Sequence, residues 1–479
     1  MVLILLFVLN LGVVMPIAPT FIEDHFAKQM NHGVEIHCTD FKDKDTEPQC
    51  CKDASSKASF YQTLCDSIAA LFTFFVAPVV GQYSDAFGRM PYVRYLLSPT
   101  KSLSAHKTFS FPQILPASCV VGLPSITLLL CDLGIFGLEP YYLVTMLSPL
   151  YLSLSLLMSY VADVLEPRDR ATGFALILGG FGLGISIAPA IAIFLSTRNT
   201  LILGSAMAVL SPIWAIFFMK ESLSPENRIR SDKLSCMNPF SPMKILCKNR
   251  LYRILTPALM LVGVCTTGTD KLDTFYITDV FDFSSTQLSL ALIFVGFGTL
   301  FFQIVMFKPV ASAFGLRNIL IFSSILIVCS KVGYLLVGLY EPNWSWWIYF
   351  QYAIVSPLTL WVFPAVSAIK SNTVSPKLQG QVQGALFGVR CLAQGTAPIG
   401  LALLYADVSG GTKFPDHPSL PYLLIAILAC ISSILILLSP VNWRSYYVGD
   451  EEDENQNSLH QDLLHHSAVQ NDDSDEEVA

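Results

Sequence analysis

Six ionisable residues interrupt apolar sequence. Asp66 lies about a third of the way into the run 59–81, Lys331 falls in 318–339, and Arg390 stands near the middle of 382–405. Asp270 and Asp273, with Lys271 between them, occupy the outer half of 251–277. A charge inside a lipid-length apolar run is costly, so each is either a functional group or half of a fixed ion pair that locks helices together. The chemistry open to them is proton exchange and ion attraction. Asp66 is the acid expected to take and release a proton. Arg390 or Lys331 would attract an anionic group or hold that acid ionised, although a lysine can also snorkel to an interface.

The runs that hold these residues define the chain. Its 479 residues are 53% hydrophobic and 14% charged, against about 25% charged in soluble domains. This is the composition of an integral membrane protein, long enough for about twelve spans of about 20 residues. The expected spans are 2–21, 59–81, 114–131, 141–161, 171–195 and 201–219, then 251–277, 288–307, 318–339, 346–368, 382–405 and 420–438. The fold class is therefore all-α and polytopic: twelve transmembrane helices as two six-helix pseudo-repeats, 1–219 and 251–440. A hydrophilic cytoplasmic linker, 220–250, joins them, and an acidic disordered tail, 441–479, follows. The span 2–21 lacks a basic start and a small-residue cleavage site, so it reads as a retained helix rather than a signal peptide. Its abrupt start is consistent with a missing upstream segment.

Internal repetition supports the two halves. Ala86-Phe87-Gly88 recurs as Ala313-Phe314-Gly315, Pro167 as Pro376, and Ala188-Pro189 as Ala397-Pro398. Parallel repeats of this kind are a known transporter architecture. The first offset exceeds the other two by about 18 residues, the length of the polar stretch 94–111, which reads as an insertion or a retained intron. Net charge is −7, but from Val441 onward eleven acids face Arg444 alone, so the acidity belongs to the tail. With the 81–94 loop placed inside, inner segments hold about 19 Lys/Arg and outer segments about 8, which puts both termini in the cytoplasm. Most cysteines lie in apolar runs as small core residues. Cys38, Cys50 and Cys51 share the polar outer loop 22–57, where a disulfide can form without the sequence saying which pair.

Three stretches carry spacing suited to helix ends that must move. In Gly81-Gln82-Tyr83-Ser84-Asp85-Ala86-Phe87-Gly88-Arg89, the glycines permit close approach, and Asp85 and Arg89 can pair with each other or with helix termini. Asp163, Pro167, Arg168 and Arg170 repeat that logic after the fourth span. Gly180 and Gly184, four apart, allow close helix packing, and Pro189 permits bending. A nucleotide-binding glycine loop needs a soluble strand–turn–helix setting, which is absent from this sequence.

The first stretch resembles the signature loop between helices 2 and 3 of the major facilitator superfamily, with Met90 where a second basic residue is usual. Val161-Ala162-Asp163-Val164, Phe363-Pro364-Ala365-Val366-Ser367-Ala368 and Gln379-Gly380-Gln381-Val382-Gln383-Gly384 with Arg390 look like the hippocampus-abundant-transcript transporters, relatives of the tetracycline-resistance proton antiporters. The resemblance implies a twelve-helix fold that opens alternately to each side. It implies gating for Asp85, Arg89, Asp163 and Arg168, but no substrate.

The expected function is secondary active transport of a small solute, coupled to protons, with antiport favoured. No ATP-binding loop is present. A proton-coupled importer resembling folate-type carriers and a non-transporting receptor or scaffold on a transporter fold are the alternatives. No paired carboxylates, Ser/His/Asp set or metal cluster argues for an enzyme, and no cofactor, metal or nucleic-acid partner is expected. The partners are the solute, protons and the bilayer, and the chain is expected to work as a monomer in a membrane that the sequence does not identify.

Overall fold

The computed structural model describes residues 2–14, 17–31, 34, 38, 48–89, 114–147, 150–229, 240–281, 283, 285–340, 344–408 and 417–443. Every regular element among them is helical. In chain order the α-helices are α1 Val2–Val14, α2 Ala18–Met30, α3 Gln49–Phe87, α4 Ile114–Asp132, α5 Glu139–Leu147, α6 Leu150–Val164, α7 Arg170–Ile193 and α8 Thr197–Phe218. There follow α9 Phe240–Met243, α10 Arg250–Cys265, α11 Asp270–Val280, α12 Ser285–Phe301, α13 Phe307–Phe314 and α14 Leu316–Tyr340. The last are α15 Ser345–Phe350, α16 Ser356–Thr359, α17 Val362–Ser371, α18 Gln379–Val408 and α19 Leu420–Leu437.

Among the described residues, eight helical segments are long and apolar enough to cross a membrane: Gln49–Phe87, Thr197–Phe218, Arg250–Thr269, Leu290–Phe314, Leu316–Tyr340, Trp346–Ser371, Pro376–Tyr405 and Leu420–Leu437. The other expected spans fall on α1/α2, α4, α5/α6 and α7, which are shorter, broken or described only in part. The polar loop 22–57 is less of a loop than its composition suggests. Residues 22–30 continue α2 and residues 49–57 open α3, because a helix can run past the lipid boundary on polar residues. Span 251–277 breaks at a 3-10 turn, Thr267–Thr269, and two π turns, Phe302–Met306 and Gln351–Val355, interrupt later spans. The stretch 94–111 and the tail from 444 lie outside the described residues.

Caps set several boundaries. Asn249 Oδ1 accepts the Tyr252 N–H at 2.9 Å to start α10. Gly88 (φ 106°) and Gly315 (φ 79°) end α3 and α13 in the left-handed region, where a side chain would be strained. Cys38 and Cys51 form a disulfide beside a small apolar cluster of α2, α3, α4 and α5, while Cys50 is a free thiol.

Small residues draw the helices from before residue 220 against those from after 250. Along α3 and α18, which run antiparallel, a Cβ at Gly81 would overlap the Gly380 carbonyl, and one at Gly384 would overlap the Ala77 carbonyl. Further along, a Cβ at Gly388 would lie 3.0 Å from the Phe74 carbonyl oxygen, and one at Gly395 would lie 2.9 Å from the Ala70 methyl. A second seam joins α7 to α12, where Gly182 and Gly296 face each other's carbonyl oxygens. In lipid, where apolar tails compete equally with apolar side chains, such backbone-close packing holds helices together.

Candidate functional site

The left-handed Gly88 turns the chain sharply at the end of α3, folding Arg89 back into the bundle, where it is fully buried. Its Nη1 pairs with Asp85 Oδ1 at 2.7 Å and also donates to Ser84 Oγ; its Nε donates to Asp163 Oδ2, at the end of α6, at 2.9 Å. Burial works against the guanidinium's charge, but Asp85 and Asp163 outweigh it and hold its pKa above the ordinary value. The Asp85 carboxylate is also fully buried, and both of its oxygens are used across the α3–α18 seam. Oδ1 accepts the Gly380 N–H at 2.7 Å, and Oδ2 accepts the Gln381 N–H at 2.7 Å. A carboxylate thus sits on the first turn of α18, where unsatisfied N–H groups and the helix dipole favour negative charge.

The segment after α8 straps this cluster, which sequence reading missed by treating 220–250 as a linker. Glu221 Oε1 accepts the Arg89 N–H at 2.8 Å and the Leu223 N–H at 3.0 Å. Ser222 Oγ donates to Asp163 Oδ2 at 3.0 Å, and the Ile229 N–H donates to the Asp85 carbonyl at 3.0 Å. The available signal was an acid–serine pair immediately past an apolar run, on the same side as Arg89.

A second set of bonds joins the two parts of the chain nearby. Arg170 Nη1 donates to the Ser371 carbonyl at 3.0 Å and to Asn372 Oδ1 at 3.3 Å, and Asn372 Nδ2 donates to the Pro167 carbonyl at 2.8 Å. Arg168 does not take part. It is 80% exposed and pairs locally with Glu166 at 2.9 Å and Asp169 at 3.8 Å. Lys308 reaches Asp169 at 3.5 Å. Both sets consist of polar bonds, and together they join the helices from before residue 220 to those from after 250 at the Asp85 end.

The ionisable residues inside the spans divide into separate groups. Lys331 on α14 is buried; its Nζ donates to Thr269 Oγ1 at 2.8 Å and to Asp273 Oδ2 at 3.2 Å. Tyr422 OH donates to Asp273 Oδ1 at 2.7 Å, and Lys331 also lies over the Tyr334 and Tyr422 rings. Asp270, one turn earlier on α11, is exposed. Asp66 is exposed on α3 and accepts from Gln62 Nε2 at 3.0 Å; Gln62 in turn accepts from Tyr141 OH at 3.1 Å. Arg390 on α18 is buried, its guanidinium carbon 3.9 Å from the centroid of the Phe363 ring. The structure therefore brings Asp273 and Lys331 together and places Asp66 and Arg390 in other surroundings.

Of the packing residues, a Cβ at Gly184 would collide with Val8 of α1, Gly180 is buried, and the ring of Pro189 lies outside the described side chains. Gln303, in a π turn against Gly179, is buried, and among the described residues neither end of its amide has a hydrogen-bond partner. No hydropathy reading singles out a buried glutamine of this kind. Among the described residues no group of three metal-ligating side chains comes together.

Residues 151–398 match the family model described as Major Facilitator Superfamily. The chain is 22% identical over 347 residues to human "Hippocampus abundant transcript 1 protein", covering 70% of this chain and 64% of that one. It is 25% identical over 357 residues to "Tetracycline resistance protein, class C" of Escherichia coli, covering 74% and 82%. The matched part is less than two thirds of the length of the hippocampus-abundant-transcript relatives. Among solved structures, the human organic anion transporter MFSD10 (TETRAN) superposes with a TM-score of 0.66 at 18% identity, over 91% of this chain and 97% of that one.

Proposed function

The chain belongs to the Major Facilitator Superfamily, and from that premise we propose that it moves a small solute across a membrane by alternating access, in exchange for protons. It is an integral multi-pass membrane protein, with family and fold pointing to a transporter rather than an enzyme. The observation that carries the reading is the Asp85 carboxylate seated on the first turn of α18 and paired with Arg89, which Asp163 also binds. A charged latch between two bundles, closed at one end, is what alternating access requires of that end.

The finer reading has twelve spans in two six-helix repeats, 1–219 and 251–440. Gly88 and Gly315, both left-handed at the ends of matching Ala-Phe-Gly stretches, support that symmetry. The Asp85 end faces the cytoplasm, by the excess of Lys/Arg there, and the protein works as a monomer. Asp66 takes and releases the coupling proton, and Arg390 attracts an anionic group of the solute. Export is the favoured direction, since tetracycline-resistance proteins are among the relatives.

The test is proton movement in proteoliposomes carrying a pH dye while solutes are added, including a tetracycline and an organic anion, the classes named for relatives. Solute-dependent proton flux that vanishes in Asp66→Asn is expected. Correctly inserted protein that moves neither solute nor protons would overturn the transport reading in favour of a receptor. Flux that persists in Asp66→Asn would remove Asp66 from the proton step.

A further inference from the structure

Lys370, near the end of α17, is fully buried at 0% exposure. Its Nζ donates to Thr256 Oγ1 of α10 at 2.8 Å and lies 5.4 Å from the centroid of the Tyr252 ring. Among the described residues no carboxylate pairs with it. An ammonium brings three donors and a full charge; here it meets one neutral hydroxyl and a ring face. The ring offsets only part of the cost of burying an unpaired cation, whereas a neutral amine fits the same bonds without that cost.

Among the described residues the surroundings add no counter-charge. From α10 the facing titratable group is the Tyr252 phenol, which is held between the Lys370 carbonyl at 3.0 Å and Thr373 Oγ1 at 2.8 Å. From the turn before α10 it is the Cys247 thiol. From α7, Arg170 is bound to the next residue's carbonyl. From α14, Lys331 is engaged with Asp273 and Arg317 with the Leu437 carbonyl. From α18, the neutral Gln379 bonds Ser371.

Lys370 also sits at the root of the second inter-bundle set, because Ser371 and Asn372 receive Arg170. Parting of that set is the event that would admit water to Nζ, and in water the ordinary basicity of an amine, with a pKa of about 10.4, returns. We propose that Lys370 is a proton-binding site, empty while the Asp85 end is closed and filled when that end opens. The proposal rests on the alternating-access reading above. Opening then takes up a proton, so by linkage each tenfold rise in proton activity favours the open form about tenfold, within the window between the two proton affinities.

The test labels Glu166→Cys and Pro376→Cys with spin probes, in a background freed of native reactive thiols, and measures their distance distribution from pH 7 to pH 9. In Lys370→Met and Lys370→Gln, the open-to-closed ratio should lose about tenfold of pH dependence per unit relative to the lysine protein. Two replacements keep the test intact should one fold poorly. A slope unchanged in both, with opening still observed, overturns the Lys370 site alone. Asp85→Asn serves as the variant that weakens the latch. If even that variant shows no long-distance population at any pH, alternating access at this end fails and the site falls with it.

Discussion

Asp85 Oδ1 accepts the backbone N–H of Gly380 at 2.7 Å, a bond between the last turn of α3 and the first turn of α18. Residue 380 must be glycine for this to happen, because a Cβ there would overlap Arg89 Nη1 and the Gly81 carbonyl. The bond depends on charge: a carboxylate facing free N–H groups at a helix start is stabilised by both the hydrogen bonds and the dipole.

Asp85→Asn keeps the shape and removes that charge. A hydrogen bond to a charged group contributes about 1.5–3 kcal/mol, so the closed form should weaken roughly 10- to 100-fold. A cysteine placed at the buried position Ala385 of α18 reports this through its alkylation rate by a water-soluble maleimide. An alkylation rate equal to that of the unaltered latch would show that Asp85 does not hold this end shut.

The α3–α18 seam predicts a graded response to added methyl groups. Gly384→Ala drives a Cβ into the Ala77 carbonyl, and overpacking of this kind costs about 1–3 kcal/mol. Gly400, further along the same helix, has nothing within 4 Å of its Cβ position, so Gly400→Ala should be neutral or slightly stabilising. Thermal unfolding in detergent separates the two. Equal melting temperatures would contradict the close approach.

Half of the latch was legible in the sequence and half was not. Asp85 and Arg89, four apart with Gly88 between them, announce a charged helix end by spacing alone. Their partners do not: Gly380 and Gln381 are bonded through backbone N–H groups, which leave no mark in a side-chain pattern. Lys370 stands at the end of the run 346–368, where the sequence marks it only as one more positive residue beside a span. Only the packing of α10 shows that the side chain turns inward. The π turns escaped for a related reason, since one extra residue per turn changes neither hydropathy nor composition. The helices within 22–57 escaped because polar residues form helices freely where lipid no longer selects against them.

Asp273, half-buried, and Lys331, buried, make an ion pair shared among α11, α14 and α19. Removing one partner strands the other, at a cost of about 3–5 kcal/mol, whereas replacing both by apolar residues is far milder. Lys331→Met alone should therefore lower the melting temperature more than Lys331→Met combined with Asp273→Leu. If the double variant also transports with unaltered pH dependence, the pair is structural. A double variant less stable than Lys331→Met would mean that the two residues do not act as a pair.

Arg390 offers a sharper distinction, because its charge and its shape can be varied separately. The guanidinium lies over the Phe363 ring, its carbon 3.9 Å from the centroid, a contact that lysine cannot reproduce although it keeps the charge. If Arg390 draws an anionic group of the solute, Arg390→Gln should raise the solute KM at least about tenfold, while Arg390→Lys retains part of the attraction. If its role were packing alone, Arg390→Lys and Phe363→Leu would lower the melting temperature together and leave KM unmoved. Transport kinetics and thermal unfolding on the same three proteins therefore settle whether α18 supplies a solute contact or only a rigid wall beside one.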